Sequence, residues 1–116
     1  TQYSTTNNRI TLNISSTDGG TFVTSLTTGI LVDGWHYIFA TRSGSTAYLY
    51  SDGILQGTDV TSSSNLTNTS PLTICTTYNT AKRTGLSLSG TKLYNRGLSL
   101  EEILQNYNAT KSRFGL

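Results

Sequence analysis

The residues that could do chemistry in this 116-residue chain are six carboxylates and one histidine. Hydrolysis of a glycosidic bond needs two carboxylates that face each other across a cleft. Three of the six acids stand in Asp-Gly pairs, which are typical of turns: Asp18, Asp33 and Asp52. Glu101 and Glu102 open a predicted helix, and Asp59 is isolated. The spacing therefore supplies no catalytic pair, and we predict that the chain is not an enzyme.

A Ser-His-Asp triad would have to use His36, and no G-x-S-x-G nucleophile elbow accompanies it. We interpret His36 as a strand histidine whose ring nitrogens find partners locally. The single Cys75 excludes an intrachain disulfide and a zinc site built from cysteines. Its apolar context, "PLTIC", favours a small buried hydrophobe over a reactive thiol.

Carbohydrate binding needs an aromatic platform with amide and hydroxyl groups around it. The segment "TTYNTAKRTG" contains the exposed-looking group of that kind, and its members are our predicted ligand-binding residues: Tyr78, Asn79, Lys82 and Arg83. The alternative interpretation is an ordinary polar loop.

The elements that must position these residues are predicted to be strands. Ser and Thr make up about a third of the chain, only 12% of residues are charged, and Met is absent, a composition typical of β-proteins. Apolar and polar residues alternate in short segments: 9–14, 21–26, 35–42, 46–53, 72–75 and 85–95. The polar run 58–70 is predicted to be an exposed loop with an edge strand at its start. The length suits one all-β domain.

The segment "WHYIFATR" is predicted to be a central strand, because both of its faces are partly apolar. Trp35, Tyr37 and Phe39 share one face of this strand. A turn at "TRSGST" would pair it with "TAYLY", and "SDGILQG" would continue the meander. We expect Trp35 to be buried between the layers with three aliphatic residues: Leu49, Ile103 and Leu104.

One helix is predicted near the C-terminal end. Ser99 and Glu102 form an S-x-x-E capping box, and Leu98 and Ile103 occupy the hydrophobic-staple positions around it. Apolar residues then recur at helical spacing: Leu100, Ile103, Leu104 and Tyr107. Asn108 is predicted to stop the helix after about two turns as a left-handed cap.

Three stretches in this order resemble the laminin-G-like branch of the concanavalin A-like jelly-roll superfamily: "DGWHYIFATRSGSTAYLYSDGILQG", "PLTIC" and "LSLSGTKLYNRGLSLEEI". The resemblance covers residues 34–108 and implies an antiparallel β-sandwich closed by a short helix. Calcium is the usual metal of such domains, but the acids form no D-x-D or D-x-N cluster, so we predict no cofactor; the alternative is a calcium ion held by Asp18, Asp33 and Asp52. The E-x-D-x-x-E strand of the superfamily's glycanases is also absent.

The tail "NYNATKSRFGL" is similar to the C-terminus of laminin-G-like domains in virion structural proteins of tailed bacterial viruses. This similarity implies a non-enzymatic virion module, either a capsid decoration protein or a fibre tip, that contacts other virion proteins and host-surface glycans. The alternative is a secreted or cell-surface glycan-binding adhesion module, which would be extracellular.

Members of this superfamily are usually longer, so residues 1–116 are expected to form one domain at the C-terminal part of a longer chain, incomplete at its N-terminal side. An open sheet edge invites pairing, and a closed homo-oligomer, a trimer by analogy with external virion proteins, would cover it. The eight Lys and Arg are scattered and the net charge is +2, so neither nucleic acid nor a membrane is a predicted partner.

Overall fold

The fold consists of two antiparallel sheets and a C-terminal helical segment. A computed structural model describes residues 2–4, 8–15, 22–60, 72, 74 and 87–116. Its elements are β1 (Gln2–Ser4), β2 (Arg9–Ser15), β3 (Phe22–Thr27), β4 (Ile38–Ser43), β5 (Thr46–Ser51), β6 (Ile54–Val60), α1 (Leu100–Thr110) and a 3₁₀ helix (Lys111–Phe114). Neither described helix is long and apolar enough to cross a bilayer.

The two sheets have the orders β1-β2-β3 and β4-β5-β6, and all their pairings are antiparallel. They face each other across a core of Leu26 from β3 with Ala47 and Leu49 from β5. Partly buried residues close this core from the side: Leu12, Ile14 and Ile38. The fold class predicted from the sequence, an all-β sandwich with one short C-terminal helix, is confirmed.

Strand β5 is buried on both faces because helix α1 covers the side that the first sheet leaves free. Tyr50 joins Leu98 and Ile103 in a second core on that side, and Phe39 and Tyr48 pack against it. Side chains of a strand alternate between its two faces, so one six-residue strand lines two separate cores. The helix is therefore part of the packing of the sheet.

The predicted beginning of the helix is confirmed, whereas its predicted end is wrong. Ser99 caps the helix through its Oγ, which accepts the Glu102 N–H at 3.3 Å, and the Glu102 carboxylate accepts the Ser99 N–H at 2.9 Å. Asn108 lies inside α1, which runs for three turns to Thr110. The left-handed residue is Gly115, with φ 72°, at the end of the 3₁₀ helix. Asparagine tolerates a helix interior, so its type alone did not fix the end.

The predicted meander is confirmed, and its two turns use positive φ angles. Asp52 and Gly53 have φ angles of 53° and 80°, the combination of a two-residue type I′ hairpin between β5 and β6. Gly44 takes a φ of 58° between β4 and β5. The β5–β6 register shifts after Leu49, which leaves Gln56 without a cross-strand partner, and its side chain instead accepts the Gly29 N–H at 3.0 Å.

Two expectations for the segment "WHYIFATR" are corrected. Strand β4 begins only at Ile38, and β5 is the middle strand of the described sheet. Trp35 therefore precedes the strand, and it is 42% exposed instead of buried with Leu49 and Ile103. Those two residues belong to different cores. The alternating pattern does not show where a strand begins, so it could not predict that Trp35 lies outside β4.

Two further segments are predicted to be strands from the sequence, but their described residues do not form strands. Leu72 and Ile74, of the segment 72–75, and residues 87–94, of the segment 85–95, carry no strand assignment. A strand needs a partner edge to bond with, which the alternating pattern by itself does not supply. The edge strand at the start of segment 58–70 is present as the end of β6 at Val60, and residues 61–70 lie outside the described residues.

Candidate functional site

A groove of about 600 Å³ lies beside Trp35, and we call it the Trp35 groove. Its walls are the β3–β4 connection (residues 31–37), the segment 87–92 and the 3₁₀ helix with Thr110 and Leu116. Its charged lining residues are Asp33, Lys92, Lys111 and Arg113. Three cations and one carboxylate give it a positive character.

Aromatic contacts attach the β3–β4 connection to the C-terminal segment. The Trp35 and Phe114 rings lie 5.2 Å apart at 48°, and the Arg113 guanidinium lies 5.8 Å from the Phe114 ring centre. Tyr37 meets Tyr107 of α1 at 5.9 Å. These distances are within the range for favourable ring contacts, and the paired residues are at least 70 positions apart in the sequence. The groove is therefore formed only when the helical segment docks.

The chemistry that this lining offers is non-covalent binding. A partly exposed indole can lie against the C–H face of a sugar ring or another flat apolar surface, and Lys and Arg can pair with carboxylate or sulfate groups. Lys111 also lies 5.4 Å from the Tyr107 ring centre. This cation–π contact holds the Lys111 side chain near the groove and does not neutralise its positive charge.

A second, larger recess of about 920 Å³ follows β4 opposite residues 91–97. Strand β4 pairs only with β5 among the described strands, so this recess runs along an edge of the described sheet. Free backbone groups of an edge strand favour pairing with another strand over binding of a small ligand. We therefore place the candidate ligand site in the Trp35 groove.

His36 connects the groove wall to the β5–β6 turn. Its Nδ1 lies 2.7 Å from Asp52 Oδ2, and its Nε2 lies 2.8 Å from the Val32 carbonyl oxygen. The other carboxylate oxygen, Asp52 Oδ1, accepts the Tyr37 N–H at 2.8 Å. The side chains are 15% and 23% exposed for His36 and Asp52. The expectation that the histidine ring is satisfied locally is confirmed, although His36 precedes the strand.

This His-Asp pair is not arranged for general-base catalysis. A catalytic histidine turns its second nitrogen towards a nucleophile, whereas Nε2 of His36 faces a backbone carbonyl. Burial lowers the pKa of His36, but the hydrogen bonds to Asp52 and Val32 and the charge of Asp52 outweigh it, so the pKa is raised. The pair therefore favours a held imidazolium over a free base.

The segment between the groove and α1 is fixed by a second charged pair. Arg96 donates to both carboxylate oxygens of Glu102, at 2.9 and 2.6 Å. The guanidinium and the Ser99 N–H together hold the pKa of Glu102 at about 2. Leu98 N–H donates to Thr41 Oγ1 at 3.2 Å, which ties the same segment to β4. These contacts orient the helix that carries Tyr107 and leads to Phe114.

The predicted ligand-binding residues Tyr78, Asn79, Lys82 and Arg83 lie outside the described residues, as do Cys75 and Asp18. Of the three turn aspartates, Asp33 lines the groove and Asp52 is bonded to His36. In the part of the chain that the structure describes, no three residues of the His, Cys, Asp or Glu types come together as a metal site.

A laminin-G-type family model, described as the concanavalin A-like lectin/glucanases superfamily, matches residues 1–104. The chain belongs to this superfamily. The match includes both sheets and the capped beginning of α1, and the twelve residues beyond it contain the whole 3₁₀ wall of the groove. Among curated proteins, none matches this superfamily member significantly.

A solved structure resembles this laminin-G-type domain: the crystal structure of an S-layer domain-containing protein from Clostridium thermocellum ATCC 27405. The two are 27% identical in sequence, with a TM-score of 0.59. The similarity covers 72% of this chain and 45% of the other. The present chain therefore spans less than half of the solved one.

Sequence reasoning missed the residues that form the groove, and part of the signal was available. Continuing the β4–β5 hairpin register beyond Ile38 and Ser51 places Tyr37 opposite Asp52, with His36 next to them. The contacts of Trp35 with Phe114 carried no such signal, because nothing in local spacing relates residues so far apart in the chain.

Proposed function

We propose that this domain is a non-enzymatic binding module displayed at an extracellular or cell surface, and that its Trp35 groove binds a saccharide carrying acidic groups. Membership of a superfamily of lectins and glucanases supports a saccharide as the ligand. The similarity to an S-layer domain-containing protein supports the surface location. Both are consistent with the adhesion-module alternative drawn from the sequence.

The exposed indole beside three cations is the observation that carries this proposal. Trp35 keeps 42% of its surface exposed although Phe114 packs against it. A large apolar ring left exposed in a concave site is typical of ligand recognition. Lys92, Lys111 and Arg113 stand around the same groove. A neutral sugar would use the ring alone, whereas an acidic sugar would use the ring and the cations together.

The same groove offers little for hydrolysis. Asp33 is its one carboxylate among the described residues, and glycoside cleavage requires two. Asp52 lies behind the wall, with both carboxylate oxygens bonded to His36 and Tyr37. These two observations support a non-enzymatic role.

A glycan array with matched neutral and acidic saccharides tests the proposal. We expect selective binding of the acidic set, reduced at least tenfold by Trp35→Ala and severalfold by Arg113→Gln. Leu55→Ala removes an exposed apolar side chain on β6, and Arg42→Gln removes one positive charge on β4, both outside the groove lining. These controls should bind like the parent protein. Equal binding of neutral and acidic saccharides, or unchanged binding by Trp35→Ala, would refute the assignment.

The virion role stays a prediction that rests mainly on the resemblance of the tail residues 106–116. Labelling of bacterial cells and of virus particles with an antibody to the domain, viewed by electron microscopy, separates the two locations. Regular labelling of a capsid or fibre would support the virion role, and labelling of a cell envelope would support the surface module.

A further inference from the structure

We infer that His36 is a proton-dependent latch that holds residues 32–35, one wall of the Trp35 groove, against the β5–β6 turn. The inference begins with the partners of the ring. Asp52 Oδ2 and the Val32 carbonyl oxygen can only accept hydrogen bonds, so both ring nitrogens must donate. Only the imidazolium has two N–H groups. The observed geometry is therefore that of the protonated side chain.

Loss of the proton converts one of these contacts into a repulsion. A neutral imidazole keeps one N–H and presents a lone pair at its other nitrogen. That lone pair would face an oxygen at 2.7 or 2.8 Å. The bond to the carboxylate is charge-assisted and stronger than the bond to a carbonyl, so the neutral ring keeps Asp52 and releases Val32.

The part of the chain that is released is limited by neighbouring backbone bonds. On one side, Leu31 N–H donates to Asn8 O at 2.7 Å. On the other side, Tyr37 and Asp52 remain joined, since Asp52 N–H donates to Tyr37 O at 2.9 Å and Tyr37 N–H donates to Asp52 Oδ1. The segment between these anchors contains Val32, 76% exposed, and Trp35. Trp35 is also held by its ring contact with Phe114, so the histidine contact is what fixes the Val32 end of residues 32–35.

The titration can be assigned to this ring because His36 is the only histidine in the sequence. Histidine is the side chain whose ordinary titration falls between pH 5 and 8. The raised pKa of His36 supports the same conclusion as the geometry. The other titratable or charged groups near the ring come from its own connection, the hairpin turn, segment 87–92 and the helical segment: Asp33, Tyr37, Asp52, Lys92, Tyr107, Lys111 and Arg113.

The sign of the effect follows from the direction of the shift. A folded-state pKa above the unfolded value contributes stability that is fully present below the unfolded pKa, 6.5. That stability is lost as the pH rises through the folded pKa. The latch is therefore closed in mildly acidic solution and opens towards alkaline pH. If the proposed function holds, the acidic saccharide binds more tightly at pH 5.5 than at pH 8.5.

Titration of the domain by NMR between pH 5 and 9 tests the latch without any ligand. We expect the His36 ring to titrate above 6.5, and the Val32 carbonyl carbon and the Trp35 indole N–H to follow with the same midpoint. The Tyr37 amide is an internal control that should stay protected throughout. Asp52→Asn keeps a residue that tolerates the positive φ of 53°, and it should lower the midpoint of all three titrating signals together.

A His36 midpoint at or below 6.5, or a Val32 carbonyl that does not follow the ring, would overturn the latch. His36→Gln should remove the pH dependence of the Trp35 signal, and a dependence that survives in this variant would also count against it. Should the three signals titrate together while the glycan array shows no binding at either pH, the latch stands and only the proposed function is refuted.

Discussion

Gly97→Ala tests whether the segment before α1 is docked on β4 as described. A Cβ atom at Gly97 would lie 2.7 Å from the Arg42 carbonyl oxygen and 3.4 Å from Thr41 Oγ1. The φ angle of Gly97 is outside the left-handed region, so alanine can adopt this backbone conformation. The only obstacle to the substitution is therefore steric. Because the obstacle is a backbone atom of a strand, no side-chain rotation can remove it.

The magnitude follows from the displacement that is needed. Reaching the 3.4 Å of ordinary contact requires a shift of about 0.7 Å between this segment and β4. The same shift could lengthen the 3.2 Å bond from Leu98 N–H to Thr41 beyond hydrogen-bond range, at a cost of about 1 kcal/mol. It would also disturb Leu98, which is 8% exposed in the second core. Together with the strain of overpacking, we expect Gly97→Ala to lower the unfolding free energy by about 2–3 kcal/mol.

Urea denaturation followed by Trp35 fluorescence and by circular dichroism measures this loss. Gly90→Ala is the matched control, because a Cβ there meets no atom of the described residues within 4 Å and its φ is also outside the left-handed region. That control should be neutral or stabilising by up to about 1 kcal/mol, because alanine restricts the unfolded chain. If the two variants have the same urea midpoint with equal slopes, the docking of this segment on β4 is wrong.

Two further predictions concern the helix and the assembly. Ser99→Ala should destabilise α1 by about 1 kcal/mol, since Oγ accepts the Glu102 N–H; faster amide exchange across residues 100–107 would show it, and unchanged protection there would contradict the cap. Among the described strands β4 pairs only with β5, and the predicted homotrimer would cover its other side. Light scattering of residues 1–116 at micromolar concentration should then give three times the 12.5 kDa chain mass, whereas a stable monomer would refute the trimer.

Features encoded within a few residues could be predicted from the sequence. Ser99 and Glu102 are three residues apart, so the cap depends on one turn of chain and was predicted correctly. The Asp52-Gly53 hairpin was likewise predicted from a dipeptide that tolerates positive φ angles. In both cases the stabilising contacts lie inside the motif itself.

Features that depend on distant partners were mispredicted or missed. Helix α1 continues beyond Asn108 and leads to Phe114, which packs against Trp35, and local propensity does not contain that contact. The same contact explains why Trp35 points towards the C-terminal segment instead of into the sandwich. His36 and Asp52, sixteen residues apart, become neighbours only through the hairpin register, so the candidate site was less predictable than the fold.

The two ends of the β4–β5–β6 meander differ in what an engineer could add to them. At the Asp52-Gly53 tip, the carboxylate binds the groove wall, and a Cβ on Gly53 would meet Leu104 Cδ2 at 2.9 Å. An epitope tag or reporter inserted there would break the contact between Asp52 and His36 and would also disturb the packing of the turn against Leu104 of α1. At the opposite tip, a Cβ on Gly44 would have no atom of the described residues within 4 Å. Fusions belong at that end, where an insertion would leave both cores and the groove undisturbed.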